Sequence, residues 1–380
     1  MIISSINDNF KKIKGKKVIL RLDLNVPMKG SKIVDDYKLK NSLATIKLLQ
    51  NLNCSIIIIT HLGEPVVTNN KKLLKTWSVA PLTSWLSKKL KLKINLLPLD
   101  WLTINKQVKN IKPGEIMMFE NIRLFEGEIN NSDALAKRLA VLAEIYVNDA
   151  FAVCHRDHTS VSAIKKYLPA FAGVLLETEV KHLEKARQGK KPFILIMGGA
   201  KLSTKLSLLK NLAPKATAVL VGGGIANTIL KAKKIPAKDW SASGGNIKNI
   251  VLPVDVGILK NKKRINKDLA KINNQDLILD IGPKTVALFS SYLKGAKTIF
   301  WNGPMGVFEK TAFSFGTRKL AINVALATKR GAFTLIGGGE TEEAVGPSKK
   351  KFSWVSTGGG AALAYLEGKA LPGLKKIVKY

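Results

Sequence analysis

The sequence predicts an α/β protein of two domains, each a parallel sheet flanked by helices, joined by a single helix. Three observations predict it. Short apolar runs alternate with amphipathic stretches along nearly the whole chain, the pattern of βα units feeding parallel sheets. The 380 residues exceed the size of one ordinary domain. The strand-like runs end in charged and polar residues in the first half and in glycine in the second, so the halves differ in chemistry.

In the first half the strand candidates are 17–22, 55–60, 115–119 and 144–147. Between them, 39–49 has helical apolar spacing at Leu43, Ile46 and Leu49. The stretch 133–142 reads the same way, with Asp133 expected to cap it. At 175–188 charged residues interleave with Leu176, Val180 and Leu183, a helix that would join the two series. After Lys191-Pro192 a second series follows, with strands at 193–197, 218–221, 277–280, 298–301, 333–336 and 353–355. The expected division is a first domain over 1–172, a hinge helix over 173–190 and a second domain over 191–370.

Composition excludes several classes. Hydrophobic residues make up 46%, too many for a disordered chain. No apolar run approaches the ~20 residues of a membrane helix. The first residues lack the basic start, apolar stretch and cleavage site of a secretory signal, so a cytoplasmic protein is expected. Cys54 and Cys154 match no metal spacing. Cys54 opens an apolar run and reads as a buried thiol; Cys154, beside His155, is a weaker case for packing, with a nucleophile as the alternative. The net charge of +35 raises nucleic acid or anionic lipid as partners. Roughly half of the Lys and Arg lie in the first 190 residues, so neither half is a basic tail. With Lys, Asn and Ile abundant throughout and no aromatic-interleaved basic motif, compositional drift accounts for the charge, and no specific nucleic-acid partner is expected.

Ligands of open α/β sheets collect beyond the carboxyl ends of the strands. There the second half carries six glycine clusters: Gly198-Gly199, Gly222-Gly223-Gly224, Gly282-Pro283, Gly303-Pro304 to Gly306, Gly337-Gly338-Gly339 and Gly358-Gly359-Gly360. Glycine lets backbone N–H groups approach a phosphate, and a following helix adds its positive end. One cluster is also what a tight turn needs; six indicate a nucleotide site. Neither a Walker P-loop nor a Rossmann dinucleotide fingerprint occurs. The first half instead places Arg21 to Asn25, His61, Arg123, His155 and Arg156 at its strand ends. Singly, each reads as a solvated or core-satisfied residue; together they read as a pocket for a small anion. A small-anion domain and a nucleotide domain joined by a helix suit a hinge-bending phosphotransferase.

At these motifs the chain resembles phosphoglycerate kinase over essentially its full length. The resemblance is carried by Arg21-Leu22-Asp23-Leu24-Asn25-Val26-Pro27, Thr60-His61-Leu62-Gly63, Glu120-Asn121-Ile122-Arg123 and Asp149-Ala150-Phe151 with His155-Arg156. In the second half it is carried by Gly198-Gly199-Ala200-Lys201 with Lys205, Asp280-Ile281-Gly282-Pro283, Trp301 to Glu309 and Val355 to Gly360. Leu202 to Lys205 and Gly224 to Thr228 look bacterial. The resemblance implies two Rossmann-like domains, a monomer, and the C-terminal residues 371–380 packed back on the first domain. It implies reversible phosphoryl transfer between 1,3-bisphosphoglycerate and ADP, giving 3-phosphoglycerate and ATP with Mg2+. Asp23, Asn25, Lys38, His61, Glu64, Arg123 and Arg156 occupy the phosphoglycerate-binding positions. Gly199, Lys201, Lys205, Gly223, Asn302, Pro304, Glu309, Gly337, Gly338, Gly339, Glu340 and Thr341 occupy the nucleotide positions, with Glu340 as the metal ligand. Lys38, Lys205, Gly339 and Gly359 stand where the transferring group is stabilised. Lys205, four residues after Lys201, is expected to share a helical face with it.

Three positions depart from the family's pattern. Lys38 and Glu64 stand where it has arginine, and Glu340 where it has aspartate. Lysine keeps the charge of arginine without the bidentate fork. Glu64 reverses the sign, so a raised KM for 3-phosphoglycerate is expected. The extra methylene of Glu340 must fit a cation with strict octahedral geometry. Two other readings are open: a kinase-fold protein without turnover acting as a basic polyanion or RNA-binding module, and a nucleotide sensor without phosphoglycerate binding.

Overall fold

The structure, a computed structural model, describes residues 1–68, 70–232 and 249–379. The chain divides into two compact units, one formed by 1–180 with residues from 370 onward, the other by 181–369.

In the first unit the strands Lys17–Arg21 (β1), Ser55–Ile59 (β2), Ile94–Leu97 (β3), Ile116–Phe119 (β4), Ile145–Asn148 (β5) and Ala170–Ala172 (β6) form one parallel sheet in the order β3-β4-β2-β1-β5-β6. The inner strands are continuous apolar runs because helices cover both faces: Ser55 to Ile59 is buried at every position. One face packs Val18, Leu20, Ile56, Ile58, Met118 and Val147 against Leu39, Ile46 and Leu49 of the helix Tyr37–Asn51. Lys17 pairs with Ser55 and Arg21 with Ile59, which brings the two strand ends level. Strands β3 and β6 were not foreseen; both are short and lie at the sheet's edges.

The first unit also holds the chain's last described residues. Val378–Lys379 pairs antiparallel with Ile2–Ile3. The buried Lys165 ammonium donates to Pro372 O at 2.6 Å and Lys375 O at 2.9 Å, and Asn148 Nδ2 donates to Gly373 O at 3.1 Å. Tyr380, the end of the expected tail, lies outside the described residues. The helix Asp133–Ala140 is capped by Ser132 Oγ, which accepts from Leu135 N, and not by Asp133. Asp133 is instead bound by the Tyr167 hydroxyl and the Lys166 ammonium.

In the second unit Phe193–Met197 (β7), Ala218–Val221 (β8), Ile250–Val251 (β9), Thr298–Asn302 (β13), Phe333–Gly337 (β14) and Trp354–Val355 (β15) form a parallel sheet in the order β9-β8-β7-β13-β14-β15. Its core is built on Ile194, Ile196, Leu220, Trp301 and Ile336. Asp255–Lys260 (β10), Lys263–Asp268 (β11) and Leu277–Ile281 (β12) make a separate antiparallel sheet, ordered β11-β10-β12. The 277–280 run, expected in the parallel sheet, therefore belongs elsewhere, because it pairs with a hairpin that was not predicted. The helix Val174–Gln188 continues from the first unit into the second. Its start is held by Asp149, whose Oδ1 accepts from Leu176 N at 3.0 Å. Among the described residues no helix is long and apolar enough to cross a membrane.

Candidate functional site

Each unit carries a site at the carboxyl ends of its strands. In the first unit, Thr60 ties two of those ends together: its hydroxyl donates to Leu22 O and accepts from Leu24 N. This fixes the segment Asp23 to Asn25. Asn25 Oδ1 accepts from Gly63 N at 2.9 Å, so the loop after β2 is pinned to the loop after β1. Asp23 Oδ2 accepts from Lys38 Nζ at 2.7 Å, with Lys38 reaching over from the first turn of Tyr37–Asn51.

His61 is buried beside Arg21, whose Nη2 lies 3.3 Å from its Nδ1. A guanidinium has no acceptor, so Nδ1 must accept and the proton sits on Nε2. Burial, with the charges of Arg21, Arg123, Lys38 and Arg156, holds the His61 pKa well below the usual imidazole range. Neighbouring His155 is lowered by burial and by Arg156, and burial with Arg123 and Arg156 pushes His158 down to about 4. The positive charge here therefore comes from the arginines and Lys38, not from the histidines.

Arg123 lies 3% exposed on the short turn Ile122–Leu124 after β4. Asn121 sets that turn: its Oδ1 accepts from Arg123 N, while its Nδ2 donates to Leu62 O at 2.8 Å and Trp77 O at 2.9 Å. Arg123 Nη1 donates to Gly63 O. Its Nε and Nη2 are buried with no partner among the described residues. Leaving such donors unmet is costly, and it suits a group that a bound anion completes. Glu64 Oε1 lies 3.3 Å from Arg123 Nη1 and 3.1 Å from Arg156 Nη1, so an internal carboxylate bridges both arginines. The two arginines hold the Glu64 pKa below the usual carboxylate range.

The structure thus brings Asp23, Asn25, Lys38, His61, Glu64, Arg123 and Arg156 to one strand-end surface. Residues not foreseen support them: Ser160 Oγ accepts from Arg21 Nε and donates to buried Glu128. No signal in the sequence links Glu128 to Arg21, because the contact is non-local. Cys154 is fully buried and its pKa is pushed up to about 12, chiefly by burial, which removes it as a nucleophile.

In the second unit the strand-end glycines let loops touch. A Cβ on Gly198 would lie 2.1 Å from Pro304 O, and one on Gly224 would lie 2.1 Å from Ala200 O. The N–H groups of Gly199 and Gly223 donate to Pro304 O and Met305 O. These two glycines therefore serve loop packing, which corrects the expectation that their N–H groups face a phosphate. The loops wall a cavity of about 350 Å³. Gly199, Gly223, Gly224, Pro304, Glu309 and Glu340 line its polar side; Val256, Ile278, Leu279, Val307 and Phe308 supply an apolar wall. Part of that wall comes from the unpredicted antiparallel sheet.

Lys205 does not share a helical face with Lys201. Residues Ser203–Lys205 form a 3-10 turn and the α-helix begins at Leu206, leaving Lys201 exposed in the loop before it. Lys205 Nζ instead donates to Asn302 Oδ1 at the end of β13. Burial lowers its pKa, opposed by the carboxylates of Glu340 and Glu367. Asn302 is fixed in turn, donating from Nδ2 to Gly337 O at 2.6 Å. Thr341 accepts from Gly303 N at 2.6 Å and donates to Gly337 O at 3.0 Å, a clamp between loops. Gly338 has φ +95° ahead of the helix Gly339–Val345, and Gly359 has φ +44° ahead of the helix Gly360–Leu366.

No group of three or more His, Cys, Asp or Glu able to hold a metal occurs among the described residues. Asp280, Glu309 and Glu340 are the carboxylates that line the cavity, and Glu340 among them is compatible with Mg2+, which is commonly held by one or two carboxylates together with substrate phosphates.

A family model described as phosphoglycerate kinase matches residues 6–369. The chain is 41% identical to the phosphoglycerate kinase of Thermosipho africanus, covering 96% of each. It is 39% identical to that of Dictyoglomus turgidum, covering 95% of each. Among solved structures, the phosphoglycerate kinase of Coxiella burnetii superposes with a TM-score of 0.86 at 38% identity, covering 96% of both chains. That of Pyrococcus horikoshii gives 0.79 at 30% identity, covering 98% of both.

Proposed function

The chain belongs to the phosphoglycerate kinase family, and on that premise we propose that its two units divide the work of one phosphoryl transfer. The reaction is reversible transfer between 1,3-bisphosphoglycerate and ADP, giving 3-phosphoglycerate and ATP, with a carboxyl group as the acceptor. The family finding supports this activity over a basic polyanion-binding module or a nucleotide sensor.

The observation that carries the site assignment is Arg123, a buried guanidinium with two unmet nitrogens at the strand ends of the first unit. Arg123 and Arg156 bind the phosphoglycerate anion; Asn25 and neutral His61 supply polar contacts; Lys38, held on Asp23, serves the transferring group. In the second unit the cavity takes the nucleotide, its base against Val256, Ile278 and Phe308, with Glu309 facing the ribose. Lys205, set by Asn302, and Lys201 meet the phosphates. Gly339 and Gly359 leave the transferring group room to approach. Magnesium, when bound, would be held by Glu340 with the nucleotide phosphates and would neutralise their charge.

In the direction of ATP use, a carboxylate oxygen of 3-phosphoglycerate attacks the γ-phosphorus. The bond from that phosphorus to the β,γ-bridging oxygen breaks and ADP leaves. Such a transfer needs positioning and charge stabilisation more than covalent help from the protein. We assign the hinge to 173–190, within which Val174–Gln188 runs from one unit into the other, and closure would exclude water before transfer. The protein works as a cytoplasmic monomer.

Steady-state turnover with MgATP and 3-phosphoglycerate, coupled to reduction of the bisphosphoglycerate product, tests the reading. Saturable turnover that is lost in Lys205→Ala supports it. Absence of turnover from folded protein at every magnesium and substrate level would remove it.

A further inference from the structure

Arg21, the last residue of β1, is buried as Arg123 is, yet the two guanidiniums are used in opposite ways. Arg123 leaves Nε and Nη2 without a partner among the described residues. All three nitrogens of Arg21 are engaged: Nε donates to Ser160 Oγ at 2.9 Å, Nη1 to Leu22 O, and Nη2 to His61 Nδ1 at 3.3 Å. At 1% exposed, Arg21 has no face to offer a ligand.

Its counter-charge is Glu128, fully buried in the segment that follows the Arg123 turn. Ser160 carries the link: its Oγ donates to Glu128 Oε1 at 2.6 Å and its N to Oε2 at 2.9 Å. Because Ser160 Oγ accepts from Arg21 Nε, its own proton goes to Glu128, and both donors face a carboxylate. Burial pushes the Glu128 pKa up, opposed by the charge of Arg21 and by the two bonds from Ser160. Ser160 is itself held, since its carbonyl accepts from the buried Tyr146 hydroxyl at 2.8 Å. Glu128, Ser160, Arg21 and His61 come from four separate segments and form one satisfied buried network, which fixes a single geometry.

We propose that Arg21 is a positioning residue and not an anion ligand: balanced by Glu128 through Ser160, it holds His61 as the Nε2–H tautomer, so that His61 presents one fixed donor to the three-carbon acid. The inference rests on the kinase reading of the first unit. A neutral imidazole free to exchange tautomers would turn an acceptor nitrogen toward the acid part of the time, and an acceptor repels an anionic oxygen. Glu128 offsets the charge of Arg21, so the pair leaves attraction of the anion to Arg123, Arg156 and Lys38 and supplies geometry instead.

The test compares Arg21→Met, Glu128→Gln and the double variant in the full chain. Each single change leaves a buried charge unpaired and should melt below wild type; the double variant keeps the site's net charge and should recover most of that loss. Proton–nitrogen NMR of 15N-histidine-labelled protein at neutral pH reads the tautomer, with four histidines to resolve and His61→Gln to assign the signal. The expected result is a single Nε2–H form of His61 in wild type and a mixture of tautomers in the double variant. With it, the KM for 3-phosphoglycerate should rise roughly tenfold, the worth of one misdirected hydrogen bond, while kcat and the KM for MgATP change little. Ser160→Ala, which keeps both charges and removes only the Oγ bridge, should give the same changes to a smaller degree, and it carries the test if the double variant does not fold. A double variant that regains stability together with the wild-type tautomer overturns the proposal and leaves the pair a purely structural one. Mixed tautomers with an unchanged KM overturn it as well. The tautomer is read without turnover, whereas turnover of the wild type judges the kinase reading, so the two fail separately.

Discussion

The Glu64 carboxylate lies 3.3 Å from the Arg123 guanidinium, so the pocket we propose for an anion already contains one. Arg156 approaches the same oxygen at 3.1 Å. Glu64 is 73% exposed and can swing away, but any incoming anion must displace it. Glu64→Gln should lower the KM for 3-phosphoglycerate by removing the competitor. Glu64→Arg should lower it further, by about tenfold or more, the worth of one charge-assisted contact. Steady-state kinetics at fixed MgATP checks both; an unchanged KM in Glu64→Arg means that the carboxylate is displaced without cost.

Lys205 depends on Asn302 for its position, and Asn302 depends on Gly337 O. On the proposed assignment Lys205→Ala removes a cation that meets developing phosphoryl charge, and it should lower kcat by roughly 10²- to 10³-fold, by analogy with loss of a preorganised donor. Asn302→Ala leaves the lysine in place but unguided. A smaller fall in kcat is expected, with KM for 3-phosphoglycerate unchanged. If Asn302→Ala matched wild type in kcat, the amide would have no positioning role.

Both cysteines should be silent in the native protein. Cys154 is fully buried with its pKa near 12, and burial also raises that of Cys54. A thiol reagent at pH 8 should therefore label neither until denaturant is added. The C-terminal segment covers Cys154: Gly373 donates to Cys154 O at 2.8 Å, and a Cβ on Gly373 would lie 2.7 Å from the sulfur. Deleting residues 371–380 should make one thiol per chain reactive. Labelling stoichiometry followed over time decides it.

The buried parallel strands were legible because their apolar runs are unbroken, as in Ser55 to Ile59. The strand Lys263–Asp268 was not, since its Lys-Arg-Ile-Asn-Lys-Asp is largely polar and it exists by pairing with Asp255–Lys260. Its two-residue turn uses Asn261 and Lys262, with φ of 49° and 61°, without the glycine that marks such hairpins. The candidate residues Asp23, Asn25, His61, Arg123 and Arg156 were legible as strand-end motifs, while Lys38, Glu64 and Glu340 came only from the family resemblance. The pairings were not legible: Lys38 on Asp23, Lys205 on Asn302 and Glu64 on two arginines each join segments that periodicity treats separately. The delayed start of the helix at Leu206 turned an expected shared face for Lys201 and Lys205 into two separate positions.

Gly198 tests the loop packing behind the cavity of the second unit, which we propose takes the nucleotide. A Cβ there would meet the Pro304 carbonyl at 2.1 Å and Met305 Cε at 2.6 Å, and the carbonyl cannot move without shifting a cavity wall. Gly198→Ala should raise the Kd for MgADP several-fold and lower thermal stability, the overpacking cost being about 1–3 kcal/mol. Calorimetry with MgADP measures the first and a melting curve the second. Binding of 3-phosphoglycerate by the first unit should be unaffected; a parallel loss there would point to general unfolding.

Asp149 gives a pH dependence with a definite sign. Its Oδ1 accepts from Leu176 N, while Oδ2 is buried with no partner among the described residues. Burial raises its pKa from 3.8 to about 6, against the opposing hydrogen bonds from Thr45, Leu176 and Leu175. In the folded protein it thus takes up a proton before the unfolded chain does. Above pH 6 both states are ionised and the dry site costs about 3 kcal/mol. As pH falls from 6 toward 3.8 that cost disappears. Asp149→Asn keeps an acceptor for Leu176 N and never carries the charge, so its melting temperature should exceed that of wild type by a few degrees at pH 7.5. The difference should shrink through pH 6 and be gone near pH 4. An offset that stays constant across that range would assign the effect to packing, and the buried charge at the foot of Val174–Gln188 would then contribute nothing.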